Sequence, residues 1–305
     1  MAMPPQPVPS LVDDVVEEIL LRCPPDDPAR LVRAALVCKP WHRLVSGAGF
    51  RRRFREFHRR RTPLLGFLPR HRAPAFQPTS SFRPRLSLSL PLADPDSWRA
   101  VDARHGRVLI GPHQWAPAEA SLTVWCPVTG ELWMLPMPRF QYERSWTAAL
   151  VCAADGCDHL DCGCGAFVVV FVGTDRSQKF TSSCVYSSET RAWSEVTSVK
   201  NIVHDCIDER NSAFAGNAVY FHLVSGRGIL KHDLVTGQDS VIGLPRWCLR
   251  YMLFTAWEEG GIGAAAAAGF RLFLWSREDG GASGGESLIS RLSSLVKPPR
   301  ISSLK

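Results

Sequence analysis

Between Leu11 and Leu44 the apolar positions run in helical register. Val12, Val15, Val16, Ile19 and Leu20 fall at the offsets of one helical face, with Asp13, Asp14, Glu17 and Glu18 opposite. An amphipathic helix is predicted. Ser10 followed three residues later by Asp13 is a capping-box-like start, the early carboxylates suit the positive helix end, and Arg22 suits the other. Pro24 and Pro25 stop it. Asp27 as N-cap and Pro28 in the first turn then open a second helix with Leu31, Ala34, Ala35 and Cys38 on one face. A third short turn around Trp41 and Leu44 follows Pro40. Three such units share one small apolar cluster, and below roughly 40 residues such a cluster rarely folds without disulfides, metals or association. The pattern therefore predicts a helical patch that needs a partner.

Helical spacing continues through RRRFREFHRRR, from Arg51 to Arg61, where Phe50, Phe54 and Phe57 recur on one side and arginines clothe the other. A solvated arginine face is expected; the alternative is a phosphate-binding strip. After Thr62 the pattern changes. A proline- and serine-rich stretch from Pro69 to Pro95 leads to short apolar segments separated by turn signals: 107–110, 122–126, 131–135, 167–172, 184–187, 218–223, 229–232 and 270–275. Three passages, VWCPVTGELWMLP, VYSSETRAWSEV and LKHDLVTGQDSVIGLP, each read as strand, threonine-bearing turn, strand. Their threonines, Thr129, Thr190 and Thr236, lie 61 and 46 residues apart, and the larger interval holds an inserted-looking stretch from Ala153 to Gly165. Without it both intervals approach the roughly 40 to 50 residues of a propeller blade. From Thr62 to Ser276 there is room for about four or five blades, at the low end of known propellers, so an incomplete ring is one expectation.

Composition sets limits on these readings. At 305 residues, with 45% hydrophobic and 21% charged residues, the chain suits a small module plus a larger globular domain. No apolar run approaches the roughly 20 residues of a membrane-spanning helix, and MAMPPQPVPS lacks the apolar core of a signal peptide. The expectation is a soluble protein of the nucleus or cytoplasm, with no membrane partner. Ten cysteines scattered through such a chain are expected to be reduced thiols.

Candidate chemistry is sparse. Cys152, Cys157, His159, Cys162 and Cys164 crowd together in CAADGCDHLDCGCG, the one group of soft ligands that could hold zinc. The paired C-x2-C spacing of a zinc module is missing, so a polar loop between blades is the more economical reading, and no cofactor or metal is expected. The histidines are dispersed without a repeated carboxylate partner, no serine sits in a G-x-S-x-G elbow, and GGIGAAAAAG lacks the basic residue of a phosphate-binding loop. No catalytic set emerges.

The helical segment resembles an F-box. The matching residues are Leu11, Val15, Ile19, Leu20, Leu31, Val37, Cys38, Trp41 and Leu44; Val12 stands where the family usually has proline, and Pro40 where a second basic residue is common. The later segments resemble the β-propeller-like, kelch-like region that follows an F-box in many plant proteins. Together these resemblances imply a multidomain chain, α plus all-β: a flexible N-terminus (1–9), an F-box-like helical module with basic extension (10–61), a linker with entry strands (62–100), a β-propeller-like domain (101–276) and a flexible tail (277–305). They further imply a non-catalytic, substrate-recognising adaptor of a Skp1–cullin–F-box ubiquitin ligase. The nine matching residues would dock on a Skp1-like subunit, and the β domain would recruit a target protein for ubiquitination. The alternative function is a nucleic-acid-associated protein using the arginine run at 51–61.

Overall fold

The computed structural model describes residues 12–58, 65–68, 76–79, 98–113, 121–139, 145–154, 157, 165–175, 180–200, 205–209, 212–244, 253–256, 262–268 and 271–277. The chain divides into two compact units.

Among the described residues, the first unit holds four helices: α1 (Asp13–Leu21), α2 (Pro28–Ala35), α3 (Lys39–Ser46) and α4 (Ala48–Phe57). Their ends differ from expectation. Val12 is the N-cap of α1, and Ser10, the expected capping residue, lies outside the described residues. Asp27 does stand at the N-cap of α2, but its carboxylate accepts from Arg30 Nε at 3.1 Å rather than from a helix N–H. Pro28 and Pro40 both fall in first turns, where a missing N–H costs nothing. Val16, Leu20, Leu21 and Phe50 form the core, with Leu31, Ala34, Trp41, Leu44, Val45 and Phe54 packed against it. His58, at the end of α4, is buried and donates from Nε2 to the carbonyl of Leu21 at 2.8 Å, tying the last helix to the end of the first. A hairpin of β1 (Gly66–Phe67) and β2 (Gln77–Pro78) also belongs to this unit.

Among the described residues, the second unit is built of four successive antiparallel meanders. The first runs β3 (Trp98–Arg104), β4 (Arg107–Pro112), β5 (Ser121–Trp125) and β6 (Leu132–Pro136). The second is β7 (Ser145–Cys152), β8 (Phe167–Thr174) and β9 (Phe180–Ser187), with β10 (Ala192–Trp193) and β11 (Thr197–Lys200) both pairing β9. The third is β12 (Ala213–Ala215), β13 (Ala218–His222), β14 (Gly228–Asp233) and β15 (Asp239–Gly243); the fourth is β16 (Leu253–Ala256), β17 (Ile262–Ala268) and β18 (Arg271–Arg277).

Strand alternation explains how the meanders stack. Along β7, Trp146, Ala148 and Leu150 enter a cluster shared with Val101, Leu109, Leu122 and Leu135 of the first sheet. The intervening Ala149 and Val151 enter a second cluster with Val219, Phe221 and Leu230 of the third sheet. Ala213, Ala218, Tyr220 and Ile229 of the third sheet then meet Ile262 and Ala264 of the fourth. Each inner sheet is thus apolar on both faces, the β-propeller-like arrangement in which a blade is stable only between neighbours. At the β3-to-β6 sheet, Leu68, Phe76 and Trp98 cover Val108, Ile110 and Trp125. The fit is tight: a Cβ at Gly111 would lie 2.6 Å from Trp146 Cη2 and 2.7 Å from Leu122 Cδ2.

The first strand of the first sheet carries buried charges with structural work. A register shift lies between Ala100 and Asp102, and such a bulge resets the alternation, so Arg99 and Asp102 turn to the same side. Arg99 Nη2 donates to the Trp146 carbonyl at 2.8 Å and its guanidinium lies 4.5 Å from the Trp146 ring centroid. Asp102 accepts from the Leu150 amide at 2.8 Å and from Ala103 at 2.9 Å. Both therefore saturate backbone groups of β7 that β8 does not pair. Burial raises the Asp102 carboxyl above its ordinary value, against the opposing pull of Arg104 3.2 Å away. Arg104 in turn donates to the backbone and hydroxyl of Ser212, just before β12.

The three threonine turns are structural equivalents. The residue after each threonine, Gly130, Arg191 or Gly237, has positive φ (82°, 54° and 67°). Each donates its amide at 2.8 Å to a carbonyl four residues back, on Cys126, Ser187 and Asp233. The expected hairpins are thus β5–β6, β9–β10 and β14–β15, the outer pair of three successive sheets.

Candidate functional site

α1 divides its apolar residues between two directions. Val16, Leu20 and Leu21 turn inward, whereas Val12, Val15 and Ile19 form an outward stripe, 66%, 46% and 53% exposed. The single apolar face expected from periodicity is in fact two, because a helix wide in hydrophobic residues must choose which stripe its small core can accept. α2 repeats the division. Leu31 and Ala34 pack inward, and Val32 and Leu36, one turn apart, are 58% and 77% exposed. Val37 and Cys38 continue this outward surface into the N-cap of α3.

Of the nine residues singled out from sequence, Val15, Ile19, Val37 and Cys38 are exposed and available to a partner. Leu31, Trp41 and Leu44 are half-buried against the core. Leu20 is 4% exposed, so its side chain holds the helices together. Leu11 lies outside the described residues. Val12, Val32 and Leu36 join the surface without having been in the expected set. Their signal was present in the sequence: each is an apolar residue in excess of those the inward face can hold.

The arginine run on α4 behaves largely as a paired face. Arg52 Nε lies 3.3 Å from Glu56 Oε1, and Arg53 pairs with Glu17 of α1. Phe50 is buried and Phe54 packs against the core, but Phe57 is exposed, and His58 takes the inward place instead. Residues 59–61 lie outside the described residues.

The expected cysteine cluster lies between β7 and β8 and so joins two strands of one sheet, not two blades. Cys152 and Cys157 are half-buried; His159, Cys162 and Cys164 lie outside the described residues. Among the described residues no group of three or more His, Cys, Asp or Glu side chains could hold a metal ion.

One serine–histidine–aspartate constellation does exist, and its geometry is that of a staple. His232 Nδ1 meets Asp239 Oδ1 at 2.8 Å and Ser183 Oγ at 3.3 Å, and Thr197 Oγ1 links Ser183 to Asp239 at 2.8 and 3.4 Å. Serine and carboxylate share the same ring nitrogen, whereas a nucleophilic relay needs them on opposite nitrogens. The side chains of His232 and Asp239 are each 2% exposed, and the group joins β9 and β11 to β14 and β15. Neighbouring Cys184 is held inert in the same junction: burial, and secondarily the Asp239 charge, pushes its thiol up to about 12.

Residues 8–53 match the F-box domain family. No curated protein matches the chain. Solved structures with some likeness include a prolyl endopeptidase (14% identity, TM-score 0.36, covering 62% of this chain and 29% of that one) and U3-55K (11%, 0.35, 58% and 48%). The RRP9 WD40 repeats are similar at 11% identity and TM-score 0.35, over 58% of this chain and 47% of that one. The chain thus spans about half or less of these proteins. The F-box match covers α1 to α3 and the first half of α4, and the exposed stripes of α1 and α2 lie inside it. Among the described residues, no helix of the chain is long and apolar enough to cross a membrane.

Proposed function

We propose that the chain is a substrate-recognising adaptor of a Skp1–cullin–F-box ubiquitin ligase. The observation that carries this reading is the outward stripe of Val12, Val15, Ile19, Val32, Leu36 and Val37 within an F-box domain. Each large apolar side chain covered on docking contributes roughly 1.5 to 3 kcal/mol of transfer free energy, far more than a free small module gains by leaving it in water. The Skp1-like subunit covers the stripe and connects the chain to a cullin-RING core. The stacked sheets recruit the protein to be ubiquitinated, and the chemistry takes place on other subunits. This chain contributes proximity and orientation. Its compartment is the nucleus, the cytoplasm or both.

Nucleic-acid binding through residues 51–61 is the weaker reading, because Arg52 and Arg53 already face carboxylates. The test is capture of the full chain by a Skp1-like protein. Ile19→Asp and Val37→Asp place a charge in the outward stripe and are expected to reduce affinity at least about a hundredfold while leaving helicity by circular dichroism unchanged. Leu20→Asp is expected to lose helicity as well, since it buries a charge in the core. A folded wild type that fails to bind overturns the proposal.

A further inference from the structure

Charge is segregated along the helical module. Between Pro28 and Arg55 there are eight Lys and Arg residues and not one Asp or Glu, whereas the described acids of α1, Asp13, Asp14, Glu17 and Glu18, precede them. Within that stretch the exposed apolar residues Val32, Leu36, Val37 and Cys38 are interleaved with exposed Arg33, Lys39 and Arg43. Lys39 and Arg43 occupy the outer side of α3, opposite the inward-packed Trp41, Leu44 and Val45. Among the described residues, Arg33, Lys39 and Arg43 enter no ion pair, in contrast to Arg22, Arg30, Arg52 and Arg53, each of which faces a carboxylate.

We infer that the α2–α3 surface is a cation-rimmed docking face, and that the face of the Skp1-like subunit that covers it is an apolar groove edged with carboxylates. The inference rests on the adaptor reading and adds to it the chemistry of the partner surface. The physical roles separate. Apolar burial governs how long the complex lasts, and the basic rim governs how fast and in which orientation it forms, because long-range attraction acts before contact. One exposed rim charge adds little to equilibrium affinity, and what the rim contributes together enters through the association rate.

The experiment measures association and dissociation rates of the full chain with the Skp1-like protein across a salt series. Raising salt from about 30 mM to about 300 mM is expected to slow wild-type association roughly tenfold with a much smaller change in dissociation. Lys39→Glu combined with Arg43→Glu is expected to slow low-salt association about tenfold and to flatten the salt dependence. Lys200→Glu with Arg227→Glu, the same net change on exposed residues of the β unit, is expected to leave both rates as in wild type. Lys39→Gln with Arg43→Gln gives an intermediate rate, and this milder pair serves if reversal of Arg43 at the end of α3 weakens the helix. An association rate indifferent to salt and to the α3 variants overturns the inference while leaving docking intact. Equal slowing by the β-unit pair overturns it as well, since net charge rather than the rim would then be acting. A folded wild type that does not bind at all overturns the adaptor reading itself.

Discussion

At the residue scale, the three threonine turns show how one backbone conformation is satisfied by different side chains. Two of them place glycine at the positive-φ position and the third places Arg191 there, at φ 54°. A left-handed conformation costs an L-residue about 1 to 2 kcal/mol, part of which glycine gives back in unfolded-chain entropy. Arg191→Gly is therefore expected to raise stability by up to about 1 kcal/mol, read as an increased urea midpoint at unchanged slope. Asp233 organises its own turn by accepting from the Val235 and Thr236 amides at 3.1 and 3.0 Å. The hydrogen bond from Thr236 is the chief reason its carboxyl sits below the ordinary value. Because the folded value is depressed, the unfolded chain binds more protons in the intervening window, and stability is lost as pH falls through it. Asp233→Ala is expected to cost about 1 kcal/mol at neutral pH, and the gap from wild type is expected to shrink once the pH falls below the ordinary carboxylate range, read in denaturant titrations at neutral and acid pH. A cost independent of pH would assign the loss to something other than the carboxylate. At this scale the sequence is a good guide to turns, since threonine followed by glycine is visible in the letters. At Leu20 the letters place the residue on an apolar helix face, and only the structure assigns it to the core.

Elements were legible unevenly, and the reason is physical. Second and third strands such as β4, β5, β8, β13 and β14 are plain apolar runs, and the eight segments expected from the sequence coincide with strands of the structure. The first strands β3, β7, β12 and β16 were not anticipated. β3 carries Arg99, Asp102 and Arg104, whose pairing with β7 and Ser212 is invisible until the sheets are stacked. β12 is three residues long. β17, Ile262–Ala268, is an alanine run that reads as helix by propensity or as a glycine-rich loop by its flanks; pairing with both β16 and β18 overrides that preference. The helices were legible as elements but not in their directions. The outward stripes of α1 and α2 emerge only once the limited volume inside the module is known, and it is they that set the expected separation between Ile19→Asp or Val37→Asp and Leu20→Asp.

For the whole molecule, the two units divide the work that the proposed function requires. The helical unit spends part of its apolar surface on its own core and leaves the rest outward. The β unit buries both faces of its inner sheets and fixes them with charged side chains from β3, a frame suited to present loops with little internal motion. The central claim is that docking belongs to the outward surface of α1 to α3. Amide hydrogen exchange of the full chain, with and without a Skp1-like protein, tests it most directly. The account predicts that slowed exchange is confined to residues 12–46 and strongest in α1 and α2, with β3 to β15 unchanged. Protection that falls on the sheets instead, or no change anywhere with both proteins folded, would contradict it.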